Sequence, residues 1–254
     1  MEHIIEINQL TIDSLFDDLT LVIPKGFITL SGPNNCGKTT LLRILNKETM
    51  TPPKTIKILD RYLEEYSLLE LEKVLQCIIP LERIFYQNSI EEEVYASDLY
   101  QEDIISSFLE LFKMKRSYTK KIGTLEEREI ILFQILIALL KKPKILLIDQ
   151  LSTYLQEEEI NKLFSWIKDQ EITVVYATND LKDGLLSDRT IIMYLGNVVL
   201  EGETKEVLKR DNMINKIGLK VPFMYDLSTK LMDYNLLSEV ELDKNRMVDT
   251  LWKF

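Results

Sequence analysis

The chain has 254 residues, 46% of them hydrophobic and 28% charged, enough apolar material for one large core with a small appendage and too much for a disordered or collagen-like chain. Its 31 Lys and Arg against 41 Asp and Glu leave a net charge of −10, which argues against nucleic acid as a partner. Two cysteines, Cys36 and Cys77, make no disulfide framework, no export segment opens the chain, and the longest apolar run, residues 130–140, falls well short of the roughly 20 residues of a bilayer span, so a cytoplasmic protein is expected.

Short β segments come first, at residues 4–7, 19–23 and 27–30, the last two separated by the turn Pro24-Lys25-Gly26. From Thr39 the spacing turns helical, with Leu41, Leu42, Ile44 and Leu45 on one face. Residues 67–118 are rich in Glu and Leu, carry helical candidates at 90–95 and 101–112, and read as a helical insertion. An apolar helix at 126–140 follows, then the break Lys141-Lys142-Pro143-Lys144 and the continuous apolar run 145–148, suited to a strand buried on both faces. A second such strand is expected at 173–177, and a hairpin at 191–194 and 197–200 around Gly196. From Glu203 the tail is mostly helical and more charged, a candidate dimerising or capping element.

Gly32-Pro33-Asn34-Asn35-Cys36-Gly37-Lys38-Thr39, followed by Thr40, matches the phosphate-loop pattern G-x-x-x-x-G-K-[ST] between a predicted strand and a predicted helix. The two glycines allow the tight turn that converges backbone N–H groups on phosphate oxygens, and the helix beyond presents its positive end to the same anion. Lys38 would neutralise the outer phosphates of ATP and the Thr39 hydroxyl would ligate Mg²⁺, with Asp149 at the end of the apolar strand as the second, water-mediated magnesium partner.

With these motifs on it, the chain resembles the ATP-binding cassette (ABC) family over essentially its whole length. Pro143-Lys144-Ile145-Leu146-Leu147-Ile148-Asp149 resembles that family's magnesium strand, and the tail with Val221-Pro222-Phe223 is similar to the C-terminal part of energy-coupling-factor importers. The resemblance implies an α/β nucleotide-binding domain over 1–204, with an antiparallel β subdomain and a helical subdomain at about 67–140, and a helical extension over 205–254. It also implies ATP and Mg²⁺ as ligands, an integral membrane transporter subunit as partner at the inner face of the membrane, and a dimer with itself or with a more complete paralogue.

The departures from the family pattern all bear on hydrolysis. Leu125-Glu126-Glu127-Arg128-Glu129 stands where the L-S-G-G-Q signature belongs, and no two of the eight glycines are adjacent to replace it. Gln150 follows Asp149 where the family carries the glutamate that polarises water, and Asn179 occupies the switch histidine's place, His3 being the only histidine. The glutamine loop, which contributes to the metal side of the site, has two alternative counterparts, Gln76 and Gln87. Phe16 is a candidate for stacking on adenine, with a plain core role as the alternative. The implied activity is Mg-ATP binding with weak or absent turnover; a non-hydrolysing ATP-dependent clamp of the same fold is the alternative.

Overall fold

Among the described residues the chain builds ten strands: β1 (His3–Ile12), β2 (Phe16–Pro24), β3 (Phe27–Ser31), β4 (Ile56–Ile58), β5 (Arg61–Tyr62), β6 (Leu75–Ile78), β7 (Ile145–Asp149), β8 (Thr173–Thr178), β9 (Arg189–Tyr194) and β10 (Asn197–Glu203). Its α-helices are α1 (Lys38–Leu45), α2 (Leu68–Val74), α3 (Ile90–Ala96), α4 (Glu102–Leu111), α5 (Glu127–Leu140), α6 (Glu157–Lys168), α7 (Thr204–Leu208), α8 (Asp211–Lys216), α9 (Phe223–Asp233) and α10 (Lys244–Leu251). This computed structural model describes residues 2–82 and 85–252; residues 1, 83, 84, 253 and 254, which the expected domain ranges include, lie outside it.

Four strands form an antiparallel sheet in the order β2-β1-β4-β5, and six form a mixed sheet in the order β10-β9-β3-β8-β7-β6. Strands β3, β7 and β8 are buried along their whole length, as expected of largely apolar strands in a sheet covered on both faces. Period-two alternation sorts their side chains: Ile145, Leu147, Val175 and Ala177 join α1 residues Leu41, Leu42 and Leu45 in one cluster, whereas Leu146, Ile148, Val174 and Tyr176 join α5 and α6 in another. A third cluster packs the tail helices, through Val207, Leu208, Ile214 and Tyr225, onto Leu181 and Ile192.

Register decides what the sheet presents at its carboxyl edge. Ser31 pairs with Thr178, and Asp149 pairs with Ala177, so the phosphate loop, the magnesium-strand carboxylate and the switch segment leave the sheet side by side. That edge is where open α/β sheets hold ligands.

Two stretches differ from the sequence expectation. Residues 67–118 are not wholly a helical insertion, because β6 lies within them and pairs in parallel with β7 as the edge strand of the central sheet. Four residues with Gln76 and Cys77 in the middle are too short and too mixed to show alternation. The first strands are also longer than expected: register shifts between β1 and β2 around Ile7, Leu10 and Ile12, with Gln9 and Asp18 at positive φ, break the period that would have marked them.

Candidate functional site

The phosphate loop runs from the end of β3 to the start of α1, and its glycines are required by close packing. A Cβ on Gly32 would come within 2.3 Å of the Met193 carbonyl oxygen, and one on Gly37, at φ 105°, within 2.7 Å of the Phe16 ring. Phe16 is therefore the buried floor of the loop, and its ring is unavailable for stacking on a base; the core role is the one the structure supports. Lys38, only 4% exposed, folds its ammonium onto the loop, donating to the carbonyl oxygens of Gly32 at 2.7 Å and Pro33 at 3.0 Å. Three N–H bonds of an ammonium held over a ring of backbone N–H groups make a strong anion receptor.

Beside it the Thr39 hydroxyl donates to Asp149 Oδ2 at 2.6 Å. The other carboxylate oxygen, Oδ1, is buried with no hydrogen-bond partner among the described residues. Burial raises the Asp149 pKa, against the opposing pull of the Thr39 hydroxyl and the positive charges of Lys38 and Arg43. A buried, unpartnered carboxylate oxygen next to a hydroxyl is a hard-oxygen donor pair, and it fits Mg²⁺, which takes few protein ligands and keeps its waters. Arg43, one helical turn after Thr39, pairs with Glu48 at 3.5 Å and with Glu82, partners that no local spacing on α1 reveals.

Gln150 and Asn179 join the same site. Gln150 has a left-handed backbone, with φ 37° and ψ 63°, and its N–H donates to the Ala177 carbonyl at 2.9 Å. Its side chain lines a cleft of about 330 Å³ with Asn34, Asn35, Gly37, Lys38, Thr39 and Thr40. Asn179 Nδ2 donates to Asn34 Oδ1 at 3.0 Å, which lays the switch residue on the phosphate loop. Cys36 is buried under the loop, with its sulfur 3.6 Å from the Lys38 ammonium.

The structure does not bring Gln76 to the metal side. Strand alternation places Cys77 with the α1 cluster and Ile78 with the α5 cluster, so Gln76 faces α5, and its Nε2 donates to the carbonyl oxygens of Glu72 at 2.6 Å and Leu75 at 3.3 Å. It lines a separate cavity with Gln134 and Glu82. Gln87 is exposed, with its backbone N–H bound by Glu93, and does not line the phosphate cleft.

The Glu-rich segment at the start of α5 is closed on itself. Glu129 Oε2 accepts the Glu126 N–H at 2.9 Å, its other oxygen takes the Ser117 hydroxyl, and Arg128 Nε donates to Glu159 at 2.6 Å. Burial would raise the Glu129 pKa, but these hydrogen bonds with Lys120 and Arg128 nearby hold it below the ordinary carboxylate range. A capping box between Glu126 and Glu129 thus places the chain's own carboxylates at the positive end of this helix.

Residues 16–153 match the family model described as ABC transporter. Over nearly their whole lengths the chain is similar to the energy-coupling factor transporter ATP-binding protein EcfA of Enterococcus faecium, at 24% identity covering 99% of this chain and 98% of that protein. It is similar also to the ATP-binding protein EcfA1 of Clostridioides difficile, at 26% identity covering 94% and 95%. The solved structure of CbiO1 from Clostridium perfringens, part of the ABC transporter complex cbiONQ, shares the fold with a TM-score of 0.71 at 20% identity, over 92% of this chain and 100% of that one. A family match spanning more than half the residues, with its phosphate loop and magnesium-strand carboxylate brought together at the sheet edge, shows that the chain belongs to the ABC transporter family.

Proposed function

We propose that this chain is an ATP-binding subunit of an energy-coupling-factor-type ABC transporter that holds Mg-ATP and hydrolyses it weakly or not at all by itself. The observation that carries the reading is the Thr39–Asp149 hydrogen bond at 2.6 Å, with the second Asp149 oxygen buried and unpartnered below Lys38 and the phosphate loop. Lys38, which donates to the Gly32 and Pro33 carbonyl oxygens, would hold the β and γ phosphates, and Thr39 and Asp149 would hold the metal that offsets their charge.

The groups that would hold the phosphates and the metal are in place, and those that would drive turnover are not. The Gln150 amide can orient a water molecule but cannot take its proton, and loss of a general base costs about 10² to 10⁴ in rate, roughly 3 to 5 kcal/mol of barrier. Asn179 brings an amide where an imidazole would act. The start of α5 is capped by the chain's own Glu126 and Glu129, and with Glu127 beside them its negative charge would repel a partner chain's triphosphate. A homodimer would have these defects at both shared sites. Pairing with a more complete paralogue supplies one sound half to each, so slow turnover is expected even then.

Attachment to the membrane falls to an integral membrane subunit, since among the described residues no helix is long and apolar enough to cross. Tyr86, 83% exposed, with half-buried Phe85, Ile79 and Pro80 beside the cavity at the end of β6, offers the apolar surface such a partner would use. Residues 1–204 are read as the nucleotide-binding unit and 205–254 as its extension. The test is affinity purification of the tagged chain from its native membranes: recovery of an integral membrane subunit and a second ABC subunit supports transport, and recovery of the chain free of both supports the clamp instead.

A further inference from the structure

Asp183 carries a carboxylate that the nucleotide site as described does not use. It is 7% exposed, and its Oδ2 accepts the Thr178 hydroxyl at 2.9 Å and the Tyr176 hydroxyl at 3.1 Å. Burial raises its pKa, and the Ser152 hydroxyl, two residues after Gln150, pulls against that shift. An apolar residue would fill such a place at lower desolvation cost, so what the carboxylate holds in place is its distinguishing feature.

It holds the switch. Thr178 Oγ1, fixed by Asp183, accepts the Asp180 N–H at 3.0 Å, which clamps the backbone on both sides of Asn179. The Asn179 amide then reaches Asn34 in the phosphate loop at 3.0 Å. Hydrogen bonds thus fix the backbone on either side of Asn179 to a buried carboxylate, and the Asn179 side chain bonds the loop that would cradle phosphate.

We propose that Asp183 is a positioning residue of the nucleotide site: through Thr178 it sets the Asn179 amide where the third phosphate of a nucleoside triphosphate lies, and so lets the chain distinguish triphosphate from diphosphate. This rests on the reading that the loop binds ATP. Asn179 donates to Asn34 in the phosphate loop; on this proposal the same N–H would reach a terminal phosphate oxygen of a triphosphate, a contact that a diphosphate cannot make.

The test is calorimetric titration of the full chain with Mg²⁺ and either ADP or the non-hydrolysable imido analogue of ATP. Asp183→Asn is expected to weaken the triphosphate analogue about tenfold, the worth of one well-placed hydrogen bond, and to leave ADP within about twofold. Asn179→Ala is expected to give the same selective loss, and the double variant no further loss, because both act through one contact. Thr178→Val removes only the linking hydroxyl and is expected to behave alike, which keeps the claim testable if Asp183→Asn fails to fold. Equal losses for both nucleotides, additive losses in the double variant, or no loss in folded variants would overturn the role of Asp183 alone. A wild-type chain binding neither nucleotide would overturn the ATP reading and this role together.

Discussion

Thr39 at the start of α1 and Asp149 at the end of β7 are 110 residues apart in sequence and joined by a 2.6 Å hydrogen bond at the base of the phosphate cleft. The bond fixes the carboxylate while its other oxygen is buried without a hydrogen-bond partner among the described residues, the arrangement that the proposed magnesium role requires. Asp149→Asn should therefore cancel the contribution of Mg²⁺ to ATP affinity. Titrations with and without the metal are expected to converge for that variant, and to differ by tenfold or more for the wild type.

The same residue predicts a pH dependence. Burial raises the Asp149 pKa, so on acidification it takes up its proton before an ordinary carboxyl does. The metal needs the ionised form, and Mg²⁺-dependent affinity should fall as pH drops through that raised pKa. Stability of the ligand-free fold moves the other way, because over that window the folded chain binds the proton more tightly than the unfolded one, and acidification favours folding. Titration at a series of pH values, with Asp149→Asn subtracting the nucleotide's own protonation, checks the first; melting curves check the second.

How much of this was legible beforehand depended on whether the signal was local. Gly32 to Thr39 and the run ending at Asp149 are contiguous motifs, and residue order alone puts the first between a strand and a helix and the second at a strand end, where the structure has them. Gln76 was chosen for its residue type, yet which face of β6 it occupies follows from strand alternation within a sheet whose edge strand was not visible. Phe16 was ambiguous until the close approach of Gly37 showed its ring to be under the loop. The carboxylate of Asp183 gave no signal, because the partners that give it meaning, Tyr176 and Thr178, converge on it only when the turn after β8 folds back.

Turnover should respond to restoring the missing groups. Gln150→Glu in the purified complex is expected to raise ATPase activity by tenfold or more, and Asn179→His to add to it. A flat response from the double variant would place the limit at the start of α5, where Glu129 and Arg128 are already committed to Glu126 and Glu159.

Cysteine chemistry offers an independent view of the loop. Cys36 is 3% exposed and lies under the phosphate loop against Lys38, so alkylation should be slow, should abolish nucleotide binding once complete, and should be slower again with ATP present. Burial together with the nearby charges of Glu48 and Asp149 pushes the Cys77 thiol up, so it should stay unlabelled at neutral pH. Mass spectrometry of the labelled peptides distinguishes the two sites.

The account stands most directly on one calorimetric experiment, titration of the isolated wild-type chain with Mg-ATP alongside a phosphate-release assay of the same sample. It predicts saturable heat, lost in Lys38→Ala, with phosphate release near background. No heat, or brisk release by the isolated chain, would contradict it.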